Sequence, residues 1–363
     1  MKIGCVKEIK DQEYRVGLTP SCVQAYVQAG HTVALERGAG EGAGFSNAAY
    51  EQAGATLLDT AKQVFDQSEM IVKVKEPIPS EYDLFHEGQI LYTYLHLAAD
   101  RPLTDMLLQK KIQAVAYETI QLPDGRLPCL KPMSEIAGRL SVQEGAKCLL
   151  KPMGGQGVLL GGVPGVPRAK VLILGGGTVG ANACRIAYGM GADVTILDLN
   201  AARLEYLDDI YGGKITTLYS TEGNLVDALR QADLVFGAVL VPGAVTPQLV
   251  RREHLAYVKK GAVLVDVAID QGGCFETSHP TTHTDPVFEV DGVVHYCVAT
   301  MPGAVPRTAT LALTSTTLRY GLKIANQGVE KACQDDPGLA SGLNTYEGRC
   351  VCPAVAKAFG FSV

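Results

Sequence analysis

The stretch KVLILGGGTVGANACRIAYGMGADVTILDLN (residues 170–200) decides how the chain is read. Four apolar residues, 171–174, suit a strand buried on both faces. Three glycines then interrupt the chain before a segment with apolar residues at helical spacing. A second apolar run, 193–197, ends at Asp198. Gly175, Gly177 and Gly180 form G-x-G-x-x-G between a strand and a helix, the arrangement in which a dinucleotide pyrophosphate rests on a helix N-terminus. The first glycine permits the tight turn, the second lets backbone approach the phosphates, and the third brings the helix close to the sheet. Asp198 follows Gly175 at about the 20-residue spacing of the acid that accepts a ribose 2′-hydroxyl. Its charge repels a 2′-phosphate, so the sequence predicts NAD rather than NADP.

Outward from this cradle, further apolar runs fall at 215–218, 233–239, 262–267 and 293–299, separated by helix-length segments. Six strands with crossovers make a complete doubly wound dinucleotide-binding domain. Ahead of it, runs at 3–6, 32–35, 70–74, 90–95 and 112–117 alternate with helical stretches such as 20–29 and 104–111. That pattern predicts a second parallel sheet covered on both faces. Ser134 reads as the N-cap of a helix running to Leu150. After the last strand, MPGAVPR breaks the pattern, and a long helix carrying Leu311, Leu318, Leu322 and Ala325 runs to Gly328. This terminal segment reads as a return to the first domain rather than another strand-helix unit. The expected fold class is therefore α/β, with two doubly wound parallel-sheet domains. Residues 1–130 with 305–363 form the substrate and catalytic domain, and 131–304 form a Rossmann domain inserted in it.

Composition narrows the function. At 363 residues the chain exceeds what one core usually fills. A net charge of −6 offers no footprint for nucleic acid or anionic lipid, and no apolar run approaches a membrane span. The ten cysteines form no C-x-x-C pair and several lie in apolar runs, as in a cytoplasmic protein with reduced thiols. His279, His283 and Asp285 have the chemistry of metal ligands, but they sit in a Thr- and Pro-containing loop, and no metal is expected.

Ligands of open parallel sheets bind beyond the carboxyl ends of strands. Lys7, Glu8 and Arg15 follow the first run, and Lys75 and Glu76 the third; His96 follows the fourth and Asp270 the run 262–267. Arg15 offers a planar fork for a carboxylate and Lys75 a second charge. His96 is suited to proton transfer near neutral pH. Asp270 belongs to the nucleotide domain and is expected to join the others only across an interdomain cleft.

The segments VKEIKDQEYRVGLTP, VKVKEP, YTYLHLAAD, KPMSEIAGR, LILGGGTVG, VDVAIDQGGCFETSHPTTH and VATMPGAVPRT together resemble the alanine dehydrogenase branch of the alanine dehydrogenase/transhydrogenase family. The resemblance runs over essentially the whole chain. It implies NAD-dependent oxidative deamination of L-alanine to pyruvate and ammonia, reversibly. It also implies Arg15 and Lys75 as substrate-binding residues and His96 with Asp270 as the acid/base pair. The implied cofactor contacts, besides the glycines, are Ser134, Thr178, Asp198, Arg203, Ser220, Val239 and Leu240. Val267, Ala268, Ile269, Asp270, Val298, Ala299, Thr300 and Met301 complete them. Thr300 departs from the pattern, standing where the family reads asparagine, and so loses an amide's dual donor–acceptor character. A homohexamer is implied by the resemblance alone. The alternatives are a related NAD-dependent amino-acid or opine dehydrogenase, the soluble NAD-binding component of a transhydrogenase, and a non-catalytic NAD sensor.

Overall fold

The computed structural model describes residues 1–239 and 246–362. The chain forms two compact units, Met1–Met133 with Gly303–Val363, and Ser134–Pro302. Among the described residues no helix is long and apolar enough to cross a membrane.

The first unit is built on parallel strands β1 (Lys2–Cys5), β2 (Thr32–Glu36), β3 (Thr56–Leu58), β4 (Met70–Val72), β5 (Ile90–Thr93) and β6 (Gln113–Ala116). In space they run β3-β2-β1-β4-β5-β6. The order reverses between β1 and β4, and this is the crevice where open sheets take ligands. Strand β4 and most of β1 and β5 are buried, as helix-covered parallel strands are. The helices between them start on sequence-encoded caps. Thr19 accepts from the Cys22 amide ahead of Pro20, and Asp100 accepts from Leu103 N at 2.9 Å ahead of the helix Arg101–Gln109.

The second unit carries β7 (Lys170–Leu174), β8 (Asp193–Asp198), β9 (Thr216–Tyr219), β10 (Leu234–Gly237), β11 (Val263–Asp266), β12 (Val287–Val290) and β13 (Val293–Tyr296). Their spatial order is β9-β8-β7-β10-β11-β13-β12. The first six repeat the doubly wound order, and β12 adds an antiparallel edge.

The chain then returns to the first unit through the helix Pro306–Gln327, which ends at Gly328 with φ +78°. This helix is tied down by Thr310, whose hydroxyl accepts from the Val16 amide at 3.2 Å, and by the Thr317 carbonyl, which accepts from the Tyr92 hydroxyl at 2.9 Å. Close packing needs Gly321, where a Cβ would lie 2.0 Å from the Tyr26 oxygen. Beyond it come β14 (Leu343–Tyr346) and β15 (Arg349–Cys350), a hairpin that extends the first sheet antiparallel to β6. Two expectations need correction here. The terminal segment contributes strands, although short and antiparallel ones; buried Cys350 of the second, and Cys352 just beyond it, join the first unit's core. Ser134 is not an N-cap, because the helix Lys131–Cys148 begins three residues earlier; its second residue is Pro132, a residue preset for a first turn.

Candidate active site

In the first unit, Arg15, Lys75 and His96 lie past the carboxyl ends of β1, β4 and β5, three adjacent strands at the order reversal. Arg15 is 4% exposed and is gripped by its neighbour Glu13. Nε donates to Oε1 at 2.7 Å and Nη2 to Oε2 at 2.5 Å, while Nη1 reaches only the Met133 sulfur at 3.2 Å. Burial pushes Glu13 upward, but the hydrogen bonds and charge of Arg15 outweigh it and hold the carboxyl below the usual range. The paired guanidinium is thus fixed in direction, and among the described residues Nη1 meets no carboxylate, which leaves donor capacity there for an incoming anion.

Lys75 is mostly buried, and its ammonium lies 4.0 Å from Glu76 Oε2. Burial pulls its pKa down; Glu76 opposes this, while Arg15 and Lys10 add to the lowering. The two cationic groups share this end of the sheet, each beside one carboxylate, Glu13 for Arg15 and Glu76 for Lys75. Two cations so placed suit an anionic substrate.

Beneath them lies a buried charge network that sequence reasoning missed. The Lys73 ammonium, 1% exposed, sits 2.7 Å from Glu81 Oε1 and 3.3 Å from Glu8 Oε2. Glu8 Oε1 accepts from the Val74 and Lys75 amides at 2.6 and 3.3 Å, so the network anchors the backbone that carries Lys75. Burial is the largest influence on Lys73, yet its two carboxylates overcome it and raise the pKa. The sequence signal was Lys73 itself, a cation inside the apolar run 70–74.

His96 is exposed and has left-handed backbone (φ 50°, ψ 36°), opening the 3₁₀ turn Leu97–Ala99. Its ring stacks on Tyr94, with centroids 6.0 Å apart and planes 8° from parallel. Tyr94 is itself fixed by donating its hydroxyl to the Cys129 carbonyl at 2.6 Å.

In the second unit the three glycines meet their separate demands. Gly175 has φ +99°, and a Cβ there would fall 2.9 Å from both the Ala238 oxygen and Val239 Cγ2. At Gly180 a Cβ would lie 1.8 Å from the Gly175 oxygen, whereas at Gly177 it would meet nothing within 4 Å. The turn is therefore packed against protein at its first and third glycines and open at its second. That is the shape of a cradle for a phosphate. Asp198, at the end of β8, accepts from Gly176 N at 2.5 Å and Asn200 N at 2.7 Å, leaving carboxylate lone pairs for a further donor. Arg203 donates to the Gly176 carbonyl, and Ser220 N to the Asp198 carbonyl at 3.0 Å. Thr178 opens the helix Thr178–Gly189.

The profile of the Alanine dehydrogenase/PNT N-terminal domain matches residues 4–137, and that of the C-terminal domain matches residues 141–353. The chain belongs to this family. The alanine dehydrogenase of Methanococcus maripaludis is 57% identical over 359 residues, 99% of this chain and 96% of that protein. That of Mycolicibacterium smegmatis is 53% identical over 357 residues, 98% of this chain and 96% of the relative. A solved L-alanine dehydrogenase structure shares 55% identity with a TM-score of 0.97, covering 99% of both chains.

The remaining candidates of this family member lie in its second unit. Val267, Ala268, Ile269 and Asp270 follow β11, with exposed Asp270 inside the 3₁₀ turn Ile269–Gln271. Behind them Asp266 is fully buried and accepts from Ala268, Cys274 and Phe275 amides and from the Ser278 hydroxyl at 2.6 Å. Burial raises its pKa in spite of these donors. Val298, Ala299, Thr300 and Met301 follow β13, and the Thr300 carbonyl is 3.0 Å from His283 Nε2. Ser134 lies in the first turns of the helix Lys131–Cys148, and Val239 beside Gly175; Leu240 lies outside the described residues. His279, His283 and Asp285 do not converge: His279 stacks on Phe288 at 3.7 Å. Among the described residues no group of His, Cys, Asp and Glu could hold a metal ion.

Proposed function

We propose that this chain is an L-alanine dehydrogenase. L-alanine, NAD and water give pyruvate, ammonium, NADH and a proton, and the reaction runs in both directions. One observation carries the reading: a buried, Glu13-held Arg15 and a mostly buried Lys75 occupy the order reversal of one sheet, beside His96. The units with Arg15 and with the glycine turn act as the substrate domain and the dinucleotide domain.

The residues fit a dinucleotide, since Gly177 leaves open the space that a side chain would fill and Asp198 keeps acceptor capacity for a ribose hydroxyl. Gly175, Gly177, Thr178, Gly180, Asp198, Arg203, Ser220 and Val239 would hold NAD, with Ser134, Leu240, 267–270 and 298–301 completing its contacts. When bound, NAD supplies the hydride acceptor. Arg15 and Lys75 bind the alanine carboxylate and so fix the direction of its C2–H bond. Loss of hydride from C2 leaves an iminium, water adds to C2, and the carbinolamine expels ammonia as its hydroxyl becomes the ketone. His96 and Asp270 carry the protons of these last two steps, a contribution of roughly 10²–10⁴ in rate for a placed acid or base.

NADH formation against a panel of L-amino acids, and NADH consumption with pyruvate, glyoxylate and larger keto acids plus ammonia, test the reading. Alanine and pyruvate should be preferred, and turnover of none of the amino acids would refute it. The assembly is a homohexamer in the cytoplasm on this reading. Light scattering on the purified protein checks its size.

A further inference from the structure

The left-handed backbone of His96 is an uncommon conformation for a residue with a side chain, and the structure around it must hold it there. The group that does so comes from the next strand. Glu118, in the short turn Tyr117–Thr119 after β6, reaches back to the end of β5. Its Oε1 accepts from His96 N at 2.7 Å and from Leu95 N at 3.1 Å, and Oε2 lies 3.3 Å from Leu95 N. Two consecutive amides converging on one anion form a nest, an arrangement found where αR–αL or turn backbone brings successive N–H groups to one side. From the far side, the Ala99 amide donates to the His96 carbonyl at 3.0 Å. With the backbone so fixed, the imidazole lies parallel to Tyr94, whose hydroxyl is spent on the Cys129 carbonyl.

We infer that Glu118 is a positioning residue for catalysis: its carboxylate holds the Leu95–His96 amides and thereby the direction of the His96 imidazole. This rests on the proton-transfer role proposed for His96. Glu118 needs no contact with substrate or cofactor. It acts on the step His96 serves rather than on binding. Without it, the His96 backbone relaxes toward ordinary conformations and the ring leaves the Tyr94 plane.

The test compares Glu118→Gln, Glu118→Asp and Glu118→Ala, each alone and with His96→Ala, in purified full-length enzyme. Gln keeps an oxygen where Oε1 serves both amides, so its kcat should stay within about 5-fold of the parent. Asp is one methylene too short and Ala has no acceptor; both should lose roughly 10²-fold in kcat, the cost of about a 1 Å misplacement. The pyruvate KM and NADH affinity should change less than about 3-fold, because Arg15, Lys75 and the glycine turn are untouched. In the His96→Ala background, Glu118→Asp should have no further effect, since the group it positions is gone. Should Ala fail to fold, the Gln–Asp contrast carries the same test. Equal activity of Asp and the parent overturns the inference, as does a loss that is fully additive with His96→Ala. If His96→Ala alone keeps full turnover, the role of His96 falls, and that outcome is separate.

Discussion

Replacing Lys73 by methionine removes one cation from between two buried carboxylates without changing the length of the side chain much. Glu8 and Glu81 side chains are 2% and 6% exposed, and both lean on the same ammonium. Breaking a buried ion pair from one side costs about 3–5 kcal/mol, because a buried charge is left uncompensated. A second route gives the same size. Protonating one glutamate at pH 7 costs about 3.7 kcal/mol from an unfolded pKa of about 4.3, at 1.36 kcal/mol per pH unit. For a domain of this size each kcal/mol lowers the unfolding midpoint by about 2–4 °C, so Lys73→Met should melt about 6–20 °C below the parent. The pH dependence supplies the sharper check. A carboxyl whose folded pKa is raised costs stability above its unfolded pKa and none below it. Burial already raises the Glu8 carboxyl in the parent, so the deficit relative to the parent should shrink by at most about 2.7 kcal/mol between pH 7 and pH 5. Adding Glu8→Gln and Glu81→Gln should recover much of it. Because Glu8 also accepts from the Lys75 amide, the pyruvate KM of Lys73→Met should rise. Calorimetry at both pH values is the assay. A midpoint within about 3 °C of the parent at pH 7, or a deficit indifferent to pH, would show that the network is not holding two buried charges.

Four further outcomes are expected. Gly177→Ala should unfold within about 0.5 kcal/mol of the parent, since its Cβ meets nothing, yet should weaken NADH by 10-fold or more in a fluorescence titration, about 1.4 kcal/mol. Gly180→Ala should lose about 3 kcal/mol or more by thermal unfolding, its Cβ lying 1.8 Å from a carbonyl oxygen that cannot move without the turn. The pyruvate KM should rise with pH below the ordinary lysine value of 10.5, because Lys75 sheds its proton early, and Lys75→Arg should flatten that profile in steady-state kinetics. Asp198→Ala should narrow the preference for NAD over NADP, and an unchanged coenzyme ratio counts against its ribose contact.

What could be read from sequence divides along a physical line. Residues whose type is dictated by local backbone or by a strand end were legible. Gly175, Gly177 and Gly180 answer to turn geometry, and Arg15, Lys75 and His96 to their places after apolar runs. What escaped was non-local. Glu118 looks like any polar residue after a strand, and only the pairing of β6 beside β5 brings its carboxylate to the His96 amide. Lys73 lies within an apolar run as an anomaly, but its two partners come from after β1 and from the turn Pro79–Leu84. The terminal hairpin was missed for a related reason. Strands of four and two residues carry too little alternation to register, and they exist because β6 offers an edge to pair with. Ser134 shows the converse error. Ser is a good capping residue, but Pro132, which gives up no amide bond in a first turn, already lies inside the helix.

The two units repeat one solution without repeating any sequence. In each, six strands take the same order, and in each the groups proposed for function follow the same members. After the first strand come Arg15 in one unit and the glycine turn in the other; after the fourth come Lys75 and Val239. After the fifth come His96 and Asp270, one opening a 3₁₀ turn and the other within one. Both of those loops are held from behind by an acidic side chain that accepts backbone amides: Glu118 for Leu95 and His96, Asp266 for Ala268, Cys274 and Phe275. A loop beyond a parallel strand has no ladder to satisfy its amides, so an anion is the economical way to fix several at once. The acid can come from any neighbouring element, as it does here from the turn after β6 in one unit and from β11 itself in the other. Shared topology thus dictates where a proton-transfer group can stand. Which carboxylate steadies its loop is left to each sheet's own neighbours, and this is why the residues proposed for proton transfer were visible in the sequence while the carboxylates behind their loops were not.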